Sequence, residues 1–153
     1  MLVCGIDPGQ SGAMCVLDTQ NPAHTALLDF QKTTIYEAAL WLNQQQVDIV
    51  YLEEVHSIYG ASAKSNFTFG RNVGVALTVA HVVTKGVSPI EVQPKVWQKF
   101  IGVTAKGKAI KKNVADLATA LYPSADLYGP KGGLKDGRAD AIMIAHYGLN
   151  HLP

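Results

Sequence analysis

Short apolar runs separated by turn residues mark the strand-like parts of the chain. Runs at residues 2–6, 13–17 and 25–30 have the length of strands and follow one another closely, which predicts an antiparallel three-stranded meander. The run at residues 49–52 is continuously apolar, as expected of a central strand that is covered on both faces. Residues 90–92 predict one further, brief strand.

Helical patterns fill most of the remaining sequence. We predict helices at 36–46, at 65–84 (rich in small residues), from Pro94 onward, at 109–121 and at 136–147. The intervening stretches 56–63, 104–107 and 122–135 predict loops, the last of them on the surface. This order of elements predicts a single α/β domain over residues 1–153, with a mixed sheet of about five strands, the first three antiparallel, flanked by α-helices.

Composition narrows the class of protein. Of the 153 residues, 48% are hydrophobic and 16% charged, which is typical of a folded domain with a real core. No apolar run is long enough to cross a bilayer, and the first strand has no signal-peptide features before it. Cys4 and Cys15 lie in predicted strands, where we expect buried thiols in a reducing compartment. The sequence therefore predicts a cytoplasmic protein with no membrane association.

Charge is distributed unevenly although the formal net charge is only +1. Residues 1–94 contain four Lys or Arg and eight Asp or Glu, whereas residues 95–138 contain nine Lys or Arg and three Asp. Such asymmetry is one indication of contact with a polyanion. Taken alone, it fits solvated lysines on helix surfaces equally well.

The first candidate for chemistry is Asp7, at the end of the first predicted strand. Pro8 favours an extended conformation for Asp7, and Gly9 and Gly12 permit a tight turn with close approach of another chain or a phosphate. Asp-Pro-Gly is also a good turn sequence with no function attached. Asp-x-Gly loops after a first strand cradle phosphates in actin-like and sugar-kinase ATPases as well, so a nucleotide site is an alternative.

Two more carboxylates stand out by their positions. Glu53 ends the buried run at 49–52, where a carboxylate is costly unless it is paired or binds a metal. The alternative is that the strand simply reaches solvent at Glu53. Asp140 lies within the last predicted helix and is followed at once by core-type residues. Asp136 is four residues earlier, so it either shares the face of Asp140 or serves as the helix N-cap. Arg138 could partly neutralise either aspartate.

The combination of these acids is more informative than any one of them. Asp7, Glu53 and Asp140 are far apart in sequence, and a compact fold can bring them to one place. Hard oxygen ligands favour Mg²⁺ or Mn²⁺, and no Cys/His spacing offers a zinc site. Two such ions would promote in-line attack of water on a phosphodiester.

The sequence resembles the RuvC family of Holliday junction resolvases, within the ribonuclease H-like superfamily. Gly5-Ile6-Asp7-Pro8-Gly9 matches the first motif of that family, Leu52-Glu53-Glu54-Val55 resembles the second, and Arg138-Ala139-Asp140-Ala141 resembles the last. The stretch from Gly70 through Gly74 to Ala76 resembles the dimer-forming helix, and the order of lysines from Lys106 to Lys112 is also similar. The resemblance covers nearly the whole chain.

The resemblance implies an active site and a cofactor. It makes Asp7, Glu53, Asp136 and Asp140 the metal-binding, catalytic carboxylates, with two Mg²⁺ ions per site, Mn²⁺ as a substitute and no organic cofactor. Glu54 is the alternative to Glu53, and a helix cap is the alternative role for Asp136. Lys108 is the candidate for a catalytic lysine that stabilises transition-state charge.

The resemblance also implies partners: branched DNA with a four-way junction, and a second copy of the chain, because two symmetric cuts call for a two-fold dimer. The expected DNA contacts are Lys95, Lys99, Lys106, Lys108, Lys111, Lys112, His56 and Tyr59.

The function that we predict is cleavage of Holliday junctions or other branched DNA. Three alternatives stay open: another ribonuclease H-like nuclease, such as one that cuts RNA–DNA hybrids; a non-catalytic junction-binding protein; and an actin-like ATPase or kinase. The last is disfavoured because those enzymes need two such domains.

Overall fold

The computed structural model describes residues 1–21 and 24–153, which form a five-stranded mixed sheet and five helices. The strands are β1 (Leu2–Asp7), β2 (Ala13–Asp18), β3 (Thr25–Asp29), β4 (Ile49–Glu53) and β5 (Ile90–Val92). The helices are α1 (Ile35–Gln45), α2 (Ala63–Val83), α3 (Pro94–Phe100), α4 (Ala109–Leu121) and α5 (Asp136–Leu149).

The strand order β3-β2-β1-β4-β5 puts the first strand at the centre of the sheet. β1 pairs antiparallel with β2, and β2 pairs antiparallel with β3, which confirms the predicted meander. β4 and β5 are added in parallel on the other side of β1, with Ile6 opposite Leu52. Because β1 and β4 run the same way, their carboxyl ends meet at one edge of the sheet.

Both faces of the sheet are covered, as the continuous apolar run in β4 predicted. Ile49 and Tyr51 face a core formed with α3, α4 and α5, while Val50 and Leu52 face a second core formed with α1 and α2. This alternation follows from the two-residue period of side chains in a strand. Each face of β4 thus contributes to a separate apolar cluster.

Helix α5 lies against β1 at very short range because of glycines. A Cβ atom at Gly5 would collide with the backbone of Ala141 and Ala145, and one at Gly137 would collide with the backbone of Ser11 and Gly12. Only glycine allows a helix and a strand to approach so closely. The carboxylates of α5 are therefore held near the carboxyl end of β1.

Most predicted elements are confirmed within one or two residues, and two details are wrong. The N-cap of α5 is Lys135, so Asp136 is the first residue of the helix rather than its cap. The stretch 122–135 is not purely a surface loop, because Tyr122 and Leu127 are buried in the core. Cys4 and Cys15 are free, buried thiols, as expected. Among the residues described, no helix is both long and apolar enough to span a bilayer.

Candidate active site

Four carboxylates, which we call the acidic cluster, lie near one another at the carboxyl edge of the β1–β4 pair. Asp7 ends β1, Glu53 ends the neighbouring parallel strand, and Asp136 and Asp140 lie one turn apart at the start of α5. All four are only partly exposed. Electrostatic coupling connects Asp140 to each of the other three, so residues from distant parts of the sequence converge here.

The turn after β1 fixes the position of Asp7. The amide of Gly9 donates a hydrogen bond of 3.0 Å to Asp7 Oδ1, and the amide of Gly12 donates one of 3.0 Å to the Gly9 carbonyl. Burial raises the pKa of Asp7; the hydrogen bond from Gly9 opposes this rise, the negative charge of Asp136 adds to it, and Lys111 opposes it. The Asp-Pro-Gly sequence thus forms a structural turn that also presents a carboxylate.

Glu53 does not simply emerge into solvent at the end of its strand. The indole nitrogen Nε1 of Trp97, a completely buried side chain, donates a hydrogen bond of 3.1 Å to Glu53 Oε1. Burial, and then the charge of Asp7, raise the pKa of Glu53 to about 7, against the opposing effect of that hydrogen bond. Trp97 is a site residue that the sequence did not single out.

Asp140 is the most strongly affected of the four acids. Burial, followed by the charges of Asp7, Glu53 and Asp136, raises its pKa to about 8, and Lys111 only partly offsets this rise. Carboxylates in such a place resist ionisation unless a cation compensates for them. The cluster is therefore electrostatically prepared to bind positive charge.

The donor chemistry of the acidic cluster fits Mg²⁺ or Mn²⁺, which prefer carboxylate oxygens. Within the described part of the chain, however, no three His, Cys, Asp or Glu side chains already stand close enough to hold an ion. The carboxylates would have to move together around a cation. Asp7, Glu53 and Asp140, with Asp136, are the residues that would hold it.

The lysine in contact with the cluster is Lys111, not Lys108. Lys111 Nζ forms a salt bridge with Asp136, and the charges of Asp140 and Asp7 also contribute to its raised pKa. Lys108 is the N-cap residue of α4, one turn earlier, and is exposed. The sequence alone did not distinguish the two lysines.

The remaining predicted DNA contacts lie outside the cluster. Lys95, Lys99 and Lys106 are exposed, and Lys112 pairs with Asp116 at 2.7 Å. His56 and Tyr59 lie in the exposed loop after β4, and His56 Nε2 is 3.4 Å from Glu54 Oε1. Glu54 thus contacts His56, whereas Glu53 belongs to the acidic cluster.

Arg138 does not neutralise Asp136 or Asp140, contrary to expectation. Its guanidinium forms a bidentate salt bridge with Asp29 at the end of β3, in which Nε is 2.7 Å from Oδ1 and Nη2 is 2.9 Å from Oδ2. Its Nη1 atom also lies 2.7 Å from Asp126 Oδ2. Arg138 therefore connects the start of α5 to the edge strand β3 and to the preceding loop through ion pairs.

Comparison with solved structures identifies the class of fold as ribonuclease H-like and, within it, the architecture of RuvC-type resolvases. Thermus thermophilus RuvC in complex with a Holliday junction substrate matches with a TM-score of 0.59 and 18% identity, over 99% of this chain and 92% of that one. A second T. thermophilus RuvC structure gives 0.55 and 20%, over 99% and 97%. Fowlpox virus resolvase, in complex with Holliday junction DNA, gives 0.51 and 16%, over 99% of both chains.

Because these sequence identities are low, the likeness shows the fold alone. It confirms the predicted fold class. Neither the protein-family models nor the curated proteins include a match to this sequence.

Proposed function

We propose that this protein is a structure-selective endodeoxyribonuclease that cleaves Holliday junctions and related branched DNA by metal-dependent phosphodiester hydrolysis. The observation that carries the proposal is the convergence of Asp7, Glu53 and Asp140 at one edge of a ribonuclease H-like sheet. Two of the solved structures with this fold, T. thermophilus RuvC and Fowlpox virus resolvase, are complexes with Holliday junction substrates, which supports the same substrate class here.

The acidic cluster would hold two Mg²⁺ ions per site, or Mn²⁺ in their place. Such ions supply activation of the attacking water and charge neutralisation at the leaving oxygen of the phosphodiester. In the hydrolysis, a water oxygen forms a bond to phosphorus, the bond from phosphorus to one sugar oxygen breaks, and that oxygen gains a proton as the water loses one. The protein contributes the fixed carboxylates and a backbone turn at Gly9 that keeps Asp7 in place.

Lys111 is better placed than Lys108 to act beside the reacting phosphate. It neutralises Asp136 in the protein alone, and its coupling to Asp7 and Asp140 places a positive charge at the cluster. A cation at that point would stabilise the additional negative charge of the transition state.

The exposed lysines of α3, α4 and the loop between them would bind DNA phosphates. Lys95, Lys99, Lys106, Lys108 and Lys112 give affinity that depends on salt and little on sequence, with His56 and Tyr59 as contacts near the branch point. A homodimer formed through α2, where Gly70 and Gly74 are exposed, would provide two related active sites for two symmetric cuts.

A cleavage assay tests the proposal. Purified protein with Mg²⁺ is given a four-way junction, a replication-fork duplex and an RNA–DNA hybrid, and the products are resolved on denaturing gels. We expect paired nicks in the four-way junction, and loss of cleavage but not of binding in Asp7→Asn.

Each other outcome points to a different function. Preferential cutting of the hybrid would favour a ribonuclease, and binding of the junction without any cutting would favour a non-catalytic junction-binding protein. An Asp7→Asn variant that cuts at the wild-type rate would remove the assigned site.

A further inference from the structure

Three adjoining pockets meet at Gln10, in the turn that follows Asp7. The first lies between that turn, α1 and α2, and has a volume of about 340 Å³. It shares Phe30 with a second pocket and Asn72 with a third, and all three include Gln10. Together they form a continuous depression, here called the Gln10 groove, which passes beside the turn that carries Asp7.

The first pocket combines an apolar floor with a polar rim. Met14 and Val79 contribute to the floor, which belongs to the core on the α1–α2 face of the sheet. Arg71, Asn72 and Gln10 are polar groups at its edge. The volume is within the range of roughly 300–1,000 Å³ that is usual for small-molecule and cofactor sites, and such sites combine apolar walls with a few polar groups in the same way.

Charge distinguishes the Gln10 groove from an ordinary surface depression. Lys32, Lys64 and Arg71 each line one of its pockets, and no Asp or Glu is among the described residues that line them. In the described structure, none of these three cations has a salt-bridge partner. The protein itself therefore leaves their charge uncompensated, which suits an anionic ligand.

The groove also has aromatic side chains in its lining. Phe30 lies between the first and second pockets, and Phe69 lines the third. Aromatic faces beside cationic groups are the usual features of sites for unpaired nucleotides, because every base has a face that can stack. Arginine and asparagine are also the side chains that best read the edges of guanine and adenine.

We propose that the Gln10 groove binds an unpaired nucleotide of the branched DNA next to the scissile phosphate, with its base in the pocket edged by Arg71 and Asn72. The inference rests on the proposed function, and it adds a site on the opposite face of the sheet from the α4 lysines. A DNA strand that crosses the acidic cluster would then have its phosphates bound by α4 on one side, and one of its bases bound in the Gln10 groove on the other. Holding a base outside the stack costs least where the DNA is already unpaired, as at a branch point.

A double-mutant cycle between protein and DNA tests this site. The dissociation constant of a four-way junction is measured without divalent metal for the wild-type protein and for Arg71→Gln. The measurement is repeated on junctions in which each nucleotide at the branch point is replaced in turn by an abasic residue. The matched control is Lys85→Gln, which removes one positive charge beyond the far end of α2, and Asn72→Ala serves as a second pocket variant.

We expect Arg71→Gln and Asn72→Ala each to weaken binding of the intact junction by about tenfold, the usual order for a lost base-stacking or base-reading contact. At one abasic position the wild-type protein should lose a similar factor and the two variants should lose little more. Lys85→Gln should bind like the wild type. Effects that simply multiply at every position would overturn the proposal, and so would a change of oligomeric state in both pocket variants, because the groove would then be a contact between copies of the chain.

Failure of this inference is separable from failure of the proposed function. If the wild-type protein cleaves four-way junctions with Mg²⁺ but no abasic position couples to the pocket variants, the nuclease proposal stands and the nucleotide site is wrong. If it cleaves none of the DNA substrates, the function itself is wrong.

Discussion

In the folded protein without a bound cation, the ionised form of individual carboxylates in the acidic cluster is unfavourable. Burial and mutual repulsion raise the pKa of Glu53 to about 7 and that of Asp140 to about 8. In an unfolded chain such groups ionise near pH 4, so between about pH 4 and 8 the folded protein binds more protons than the unfolded one. The stability of the metal-free protein should therefore fall as pH rises through this window.

Replacing Asp140 with asparagine tests this cost. In EDTA at pH 8, Asp140→Asn should be more stable than the wild type by on the order of 1–3 kcal/mol, because one buried charge is gone. The gain should shrink at pH 5, where the wild-type carboxyl is already protonated. Urea unfolding followed by circular dichroism at both pH values measures it. Glu91→Gln, at an exposed position in β5, removes the same charge and should show no gain at either pH; an equal gain there would point to net charge as the cause.

Trp97 affects the site without belonging to the acidic cluster. Its hydrogen bond to Glu53 fixes one oxygen of a carboxylate that we propose binds metal. Trp97→Phe keeps an aromatic ring in the core but removes the donor, so we expect a loss of about 1–3 kcal/mol in the free energy of unfolding. We also expect half-maximal cleavage to require a higher Mg²⁺ concentration.

The second tryptophan provides the control. Trp41 is partly buried on α1 and packs against the other core, on the opposite face of the sheet from Trp97. Trp41→Phe should leave the Mg²⁺ dependence of cleavage unchanged, whatever its effect on stability. If both variants shift that dependence equally, Trp97 has only a packing role.

At the scale of elements, the site depends on how closely α5 lies against β1. An alanine at Gly5 would place its Cβ against the backbone of Ala141 and Ala145, which cannot give way as a flexible side chain could. We expect Gly5→Ala to destabilise the protein by more than about 3 kcal/mol or to prevent folding, since overpacking at a rigid contact displaces a whole element. Thermal unfolding measures the effect. Gly133→Ala, at a loop glycine with open space around it, should shift the melting temperature little; a tolerated Gly5→Ala would contradict the close approach.

Elements were predictable from the sequence because their signals are local. The apolar stripe that begins at Ile110 predicts α4 with its observed bounds, and the continuous run in β4 predicts a strand buried on both faces. The convergence of Asp7, Glu53 and Asp140 was predictable only when the three acids were considered together, because each lies at the end or near the start of a predicted element.

Partners of side chains across the fold were not predictable in this way. Arg138 was assigned to its neighbours in sequence, but it pairs with Asp29, which is more than a hundred residues away along the chain. Lys111 and Lys108 are equally plausible from the sequence, and only the direction in which α4 presents each of them brings Lys111 to Asp136. The donor from Trp97 to Glu53 likewise depends on the packing of α3.

For the molecule as a whole, a net charge near zero results from separate acidic and basic regions. The acidic cluster concentrates partly buried carboxylates, helix α4 carries lysines, and the Gln10 groove on the opposite face carries basic groups that have no salt-bridge partner in the described structure. A strongly anionic substrate together with divalent cations would compensate both kinds of charge at once. Neither partner alone would do so, which supports joint binding of DNA and metal.

Salt dependence of DNA binding is the measurement that belongs to this scale. Each lysine that neutralises a phosphate should contribute about one to the slope of log affinity against log salt concentration. Lys108→Gln should therefore lower the slope by about one. Lys112→Gln should lower it less, because Lys112 is already paired with Asp116 at 2.7 Å and its charge is partly compensated before DNA arrives. Titrations of a labelled four-way junction between 50 and 200 mM salt, the range over which such contacts change affinity by orders of magnitude, give the slopes.

Lys85→Gln is the control and should leave the slope unchanged. If Lys85→Gln, Lys108→Gln and Lys112→Gln all lowered the slope equally, binding would respond to total charge and not to a defined face of the protein.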